Sequence, residues 1–210
     1  GFDISEEMLQ ICQEKIALRD DSTKAKLIQA DMTDFKIDEK FGTAFCIISL
    51  QHLTSREAVL SCMKKAHEHL KSGAIFMIVA TNYFRNYTDM IGDETPRYHI
   101  CPIGVNDDGM NVFNFFEHRY FSDNHSFGFS QHRGETSEDL EKMVAERDGK
   151  EIFEECRYMF STRSLILYPE DYEKLFNEAG FDVLKAGGDA TLRPFDKDED
   201  TGMYMIARRR

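Results

Sequence analysis

An α/β fold, with a mostly parallel sheet, a C-terminal antiparallel strand and an inserted antiparallel cover, is predicted by three features of this 210-residue sequence. Two strand-length apolar runs, residues 45–50 (FCIISL) and 74–80 (AIFMIVA), flank a segment with helical spacing. A proline-led helix and two short strand-like stretches close the chain. Between these parts, over residues 83–167, buried runs give way to alternating aromatic and polar residues.

Taken in order, Ser5 can cap a helix whose first turn carries Glu6 and Glu7, with Met8, Leu9, Cys12 and Ile16 on one face. Helix is therefore expected over residues 5–17. Residues 25–30 form a short apolar segment ending at Asp31, and the run 45–50 reads as a parallel strand buried on both faces. Thr54 and Glu57 have capping-box spacing, and Val59, Met63, Ala66 and Leu70 continue a helix toward Gly73. Strand, helix and strand in this order make a right-handed crossover unit. Pro169 suits a first helical position, Tyr172, Leu175, Phe176 and Ala179 share a face, and Gly180 ends the helix. Strands are expected at 181–184 and 203–207.

In the middle, NVFNFFEHRYF and EIFEECRYMF alternate as antiparallel strands with one covered and one wet face. Residues 136–147 are polar and read as a short exposed helix or loop. One domain is expected over 1–210, with 1–82 and 168–210 as the core and 83–167 as the inserted cover.

Composition narrows the function classes. A net charge of −12 repels a phosphate backbone, so nucleic acid is not an expected partner. The basic cluster Arg208, Arg209 and Arg210 reads as a solvated chain end. Five cysteines, widely spaced and never as Cys-x-x-Cys, fit neither a disulfide framework nor a zinc site and suit a reducing cytoplasm. His67 and His69 lie two apart on a helix and face different ways, so no metal is expected. No apolar stretch reaches the roughly 18 residues of a membrane helix, and no membrane partner is expected.

Open parallel sheets bind ligands outside the carboxyl ends of their strands. Three such ends are polar here: Asp3, Asp31, and the segment from Ser49 to His52. A carboxylate at one strand end can accept both hydroxyls of a ribose, and one at the next can accept an adenine amino group.

GFDISEEML, QADMTDF, FCIISLQHL and HLKSGAIFMIVA resemble, in order and spacing, consecutive motifs of the class I, Rossmann-like S-adenosylmethionine-dependent methyltransferases. EAGF and MYMIARR resemble that family's closing helix and reversed hairpin. The resemblance implies S-adenosyl-L-methionine as cofactor. It implies that Asp3, with Ile4 beside it, binds the ribose, that Asp31 and Met32 hold the adenine, and that Ser49 and Leu50 pass the methionine end. The family's first strand and glycine-rich loop precede the position of Asp3, so the chain is expected to be an N-terminally incomplete record of a longer protein.

Methyl transfer from a sulfonium is an in-line displacement that needs chiefly alignment, and a small-molecule acceptor, with a small amine first, is expected. His52 is the nearest candidate for removing a proton from the acceptor; its other reading is a histidine packed at a strand–helix junction. NYFRNYTDMI has some similarity to the segment after the fifth strand of glycine N-methyltransferase-like enzymes, which implies acceptor contacts from Tyr83, Arg85 and Tyr87, with Arg85 pairing with a carboxylate. Two other readings stand beside this one. A carboxylate after a strand also serves nicotinamide binding, though no Tyr-x-x-x-Lys pair is present. The chain could also be a non-catalytic interaction module that keeps the fold.

Overall fold

The computed structural model describes residues 1–19 and 25–210, and for Asn86 the backbone only. Two strands, β1 (Phe2–Asp3) and β2 (Ile28–Gln29), pair in parallel around helix α1 (Glu6–Ala17). Ser5 caps α1 as expected, its hydroxyl accepting from the Met8 N–H at 3.2 Å.

A four-stranded sheet follows, built from β3 (Phe41–Ile47), β4 (Leu70–Thr81), β9 (Phe181–Gly187) and β10 (Gly202–Arg209) in the order β3-β4-β10-β9. β3 and β4 are parallel, and β10 runs antiparallel to both of its neighbours. This is the expected mostly parallel arrangement with a reversed C-terminal strand. Helix α2 (Arg56–His69) makes the crossover between β3 and β4. Its cap is Ser55, one residue later than the sequence suggested: the Ser55 hydroxyl accepts from the Ala58 N–H at 3.1 Å. Thr54 instead offers its carbonyl to the Asn124 side chain. The helix stops at His69, and Gly73, at φ 76°, sits inside β4 where the register against β3 shifts.

One face of this sheet packs on α2 and on helix α6 (Pro169–Glu178). Val59, Met63, Phe76, Ile78, Tyr172, Phe176, Phe181 and Met205 form the centre of that core. Pro169 opens α6, and Gly180 follows it at φ 94°, the left-handed region that favours glycine. The other face departs from the expectation that residues 45–50 would be buried on both sides. Phe45 is 64% and Ile47 54% exposed, whereas Ala44 and Cys46 pack on the core. Among the described residues nothing covers that face beside β3, and β3 is an edge strand with no partner on its outer side. The strand also ends earlier, because Ile48 turns left-handed (φ 51°) and a short 3-10 turn, Leu50–His52, follows.

The cover is an antiparallel sheet, β5 (Arg97–Val105), β6 (Asn111–Phe121), β7 (Ser126–Thr136) and β8 (Arg157–Leu165), in sequential order. Helix α3 (Phe84–Tyr87) leads into it from β4, and α4 (Leu140–Glu146) and α5 (Gly149–Glu155) lie between β7 and β8. The segment EIFEECRYMF is therefore half helix and half strand: Asp148 caps α5, the Lys150 N–H donating to its carboxylate at 2.8 Å. Phe113, Phe115, Met143 and Ile152 form a second core between these helices and the outer face of the cover.

Candidate functional site

The parallel pairing of β1 and β2 brings the two carboxylates to one end of the strand pair: Asp3 pairs with Gln29, and the Ala30 N–H donates to the Asp3 carbonyl at 3.0 Å. Both side chains are fixed in the same way. The Asp3 Oδ1 accepts from the Ser5 N–H at 2.9 Å, and the Asp31 Oδ1 accepts from the Thr33 N–H and hydroxyl, each at 2.7 Å. In each case Oδ2 has no partner among the described residues. The Thr33 backbone and hydroxyl bonds hold the Asp31 carboxyl below its ordinary pKa, so it is anionic at neutral pH. Ile4 is exposed with its carbonyl tied to the Gln29 amide, and Met32 is half-buried against the main core.

At the end of β3 the left-handed Ile48 holds its N–H on the Val79 carbonyl at 2.8 Å. A β-branched residue in this region costs energy, and such backbone strain concentrates at functional sites. Ser49 follows with its hydroxyl donating to the Ile47 carbonyl, whereas Leu50 is fully buried and belongs to the core by its side chain. Only its backbone can therefore line a ligand site.

His52 stands at the junction between the core and the cover. Its Nδ1 lies 3.2 Å from the Thr162 hydroxyl and 3.3 Å from that of Ser164, both on β8, and the side chain stays exposed. Donation of an Nδ1 proton to either hydroxyl oxygen would leave the Nε2 lone pair free. The neighbouring Gln51 is buried and ties the ends of the strands together. Its Nε2 donates to the Thr81 hydroxyl at 2.8 Å and to the Tyr83 hydroxyl at 3.3 Å, and its Oε1 accepts from the Thr81 N–H at 2.8 Å. The sequence reading passed over Gln51; its place between the 3-10 turn and β4 emerges only in three dimensions.

Tyr83 and Tyr87 come together on the cover. Both pack on Phe127 of β7, with ring centroids 5.7 and 4.2 Å away, and burial raises the pKa of each phenol. Arg85 does not join them. Two residues along a helix turn a side chain to the opposite side, and Arg85 is exposed with no hydrogen bond or ion pair among the described residues. Asn82 fixes this segment from below, its amide donating to the Lys197 and Asp200 carbonyls while its Oδ1 accepts from the Phe84 N–H.

Two further features bear on ligands. A cleft of about 460 Å³ between residues 34–40 and Lys65, Glu68 and His69 lies toward the opposite ends of the strands, where open parallel sheets do not bind ligands. Among the described residues no three His, Cys, Asp or Glu side chains gather as metal ligands, and no helix is long and apolar enough to cross a membrane.

This geometry can be set against known proteins. Residues 1–73, the segment that carries Asp3, Asp31, Ser49 and His52, match a family model described as a methyltransferase domain. No curated protein matches the chain. Solved structures match over its full length. An S-adenosylmethionine-dependent methyltransferase from Clostridium acetobutylicum superposes with a TM-score of 0.71 at 18% identity, over 99% of this chain and 73% of the other. The CcbJ methyltransferase from Streptomyces caelestis gives 0.75 at 16% identity, over 100% and 78%. The chain has the fold of a class I S-adenosylmethionine-dependent methyltransferase. The likeness extends to SAM-bound CalS10, an amino pentose methyltransferase from Micromonospora echinaspora, with a TM-score of 0.61 at 14% identity, over 100% of this chain and 73% of that one. In this methyltransferase fold the antiparallel cover meets the core through His52, Tyr83 and Asn124.

Proposed function

We propose that the chain is the methyl-transferring domain of a cytoplasmic enzyme that uses S-adenosyl-L-methionine to methylate a small molecule, with an amine as the first expectation. The observation that carries this is the pair Asp3 and Asp31: two carboxylates at one end of a parallel pair, each oriented through Oδ1, with Oδ2 unengaged among the described residues. That donor set suits the hydroxyls of a ribose and the amino group of an adenine. Residues 1–82 and 168–210 would form the core of a single domain, and residues 83–167 its cover.

The cofactor supplies a methyl group on a sulfonium. Asp3, with the backbone of Ile4, would hold its ribose, Asp31 and Met32 its adenine, and the backbone of Ser49 and Leu50 its methionine end. The protein's main task is then alignment of acceptor and methyl, which can supply about 7 to 11 kcal/mol. Tyr83 and Tyr87 would line the acceptor side, and His52, whose Nδ1 meets Thr162 and Ser164 of the cover, would take a proton from an acceptor N–H or O–H through Nε2. Arg85 on the opposite side of α3 would meet an acceptor carboxylate only at the rim.

The test is turnover. Full-length protein incubated with S-adenosyl-L-methionine and a panel of small amines and phenols is expected to form S-adenosylhomocysteine in an acceptor-dependent way, and His52→Ala is expected to lower kcat by about 10²- to 10⁴-fold. Cofactor binding without turnover on any acceptor would favour the non-catalytic module instead. Unchanged kcat in His52→Ala would leave His52 as a packing residue.

A further inference from the structure

We propose that the inner face of the cover is the acceptor site and that it takes a flat aromatic ring bearing, beside the group to be methylated, an O–H or N–H donor, which His118 receives. This rests on the methyltransferase reading above and adds the class of acceptor to it.

Strand register defines the face. On β6 the residues Asn114, Phe116, His118 and Tyr120 point one way, and pairing sets His99 opposite Phe116, Phe129 opposite His118, and Thr162 opposite Phe129. Thr162 is the residue that meets His52, and Phe127, on the same side of β7, lies under Tyr83 and Tyr87. This face therefore looks onto the strand ends where the methyl donor would lie.

His118 is the anomaly on it. The side chain is only 8% exposed, and both ring nitrogens are buried without a hydrogen-bond partner among the described residues. Buried polar atoms are nearly always paired, and one left alone is destabilising. Burial, with a smaller contribution from His99, pushes its pKa down to about 4, so the ring is neutral and offers one lone pair and one N–H. Its neighbours are rings: His99 at 4.6 Å, Tyr87 at 5.4 Å, Phe127 at 5.7 Å, Phe129 at 6.0 Å and Phe116 at 6.2 Å between centroids. The wall continues outward, since Phe160 stands edge-on to Phe129 and, like His99, is exposed.

A flat ring can stack along this wall and bring a donor to the His118 lone pair. A sugar fits it worse. Each of its several hydroxyls needs a partner when buried, whereas the rings around His118 offer none, the Thr162 hydroxyl is engaged with His52, and the polar Asn114 and Gln131 of this face stand farther along β6 and β7.

Three probes separate these cases on the full-length protein in the presence of S-adenosylhomocysteine: p-cresol, its donor-free analogue 4-methylanisole, and methyl β-glucoside. p-Cresol is expected to bind about tenfold more tightly than 4-methylanisole, the difference of one buried hydrogen bond, and to shift the ring-nitrogen NMR signals of His118. Methyl β-glucoside is expected to do neither. His118→Phe, which keeps the aromatic wall, should erase the preference, and His118→Gln, which keeps a donor and an acceptor, should retain part of it. Equal binding of p-cresol and 4-methylanisole, unmoved His118 signals on the native protein, or tighter binding of the glucoside would overturn the proposal. S-adenosylhomocysteine affinity measured in the same samples keeps the two readings apart: its loss would remove the cofactor assignment, while its retention without probe discrimination would remove only the aromatic acceptor.

Discussion

Phe176→Ala is expected to lower the stability of the protein by about 3–5 kcal/mol, the range for emptying a buried aromatic site. Phe176 is fully buried at the centre of a ring cluster, with centroids 5.7 Å from both Phe76 and Phe181, edge-on to each. These three rings join α6 to β4 and β9. They sit under the sheet whose upper ends carry the 3-10 turn with Gln51 and His52, so the loss would also loosen the site from below. For a chain of this length the change corresponds to a drop in Tm of roughly 10 °C by calorimetry. A loss below about 1 kcal/mol, typical of surface positions, would mean that the cluster is not the packed centre described here.

Asp3→Ala is expected to weaken binding of S-adenosylhomocysteine by about 1–3 kcal/mol, or roughly 5- to 150-fold, because charge-assisted hydrogen bonds to the ribose are lost. The same substitution removes the acceptor for the Ser5 N–H at the start of α1, so a structural effect must be separated from a binding one. Asp3→Asn does this. It keeps an oxygen for the Ser5 N–H and removes the charge, and is expected to leave the Tm near that of the parent while still losing part of the affinity. Equal affinity in parent, Asp3→Ala and Asp3→Asn proteins would take Asp3 out of the site.

The sequence revealed the core well where short-range chemistry decides it. Ser5, Pro169 and Gly180 act at helix ends through their own backbone geometry, and each is found in the expected role. The alternation in NVFNFFEHRYF likewise becomes the antiparallel β6. Errors arose where tertiary context overrides local pattern. The run 45–50 looks buried on both faces because every residue in it but Ser49 is apolar, yet within it only Cys46 and Leu50 pack on the core, and Ile48 breaks the strand with a left-handed turn. EIFEE alternates well enough for a strand, but the Asp148 cap makes it a helix.

The candidate site was legible in proportion to its locality. Asp3 and Asp31 stand out in the sequence as polar ends of apolar runs, and each carboxylate is oriented by its own following residues. Gln51 and His118 could not. Gln51 matters through Thr81 and Tyr83, some thirty residues away. His118 stands out only once β5, β6, β7 and Tyr87 have buried it, and nothing in its neighbours along the chain signals two nitrogens without partners among the described residues. Arg85 shows the reverse case: the short motif grouped it with Tyr83 and Tyr87, and half a turn of helix points it the other way.

The central claim is that the paired carboxylates serve an adenosine carrying sulfur chemistry and not a nicotinamide dinucleotide. Isothermal titration of the full-length protein with S-adenosylhomocysteine, and in parallel with NAD⁺, tests it most directly. Saturable micromolar binding of S-adenosylhomocysteine with no heat from NAD⁺ is the predicted result; saturable NAD⁺ binding with no response to S-adenosylhomocysteine would contradict it.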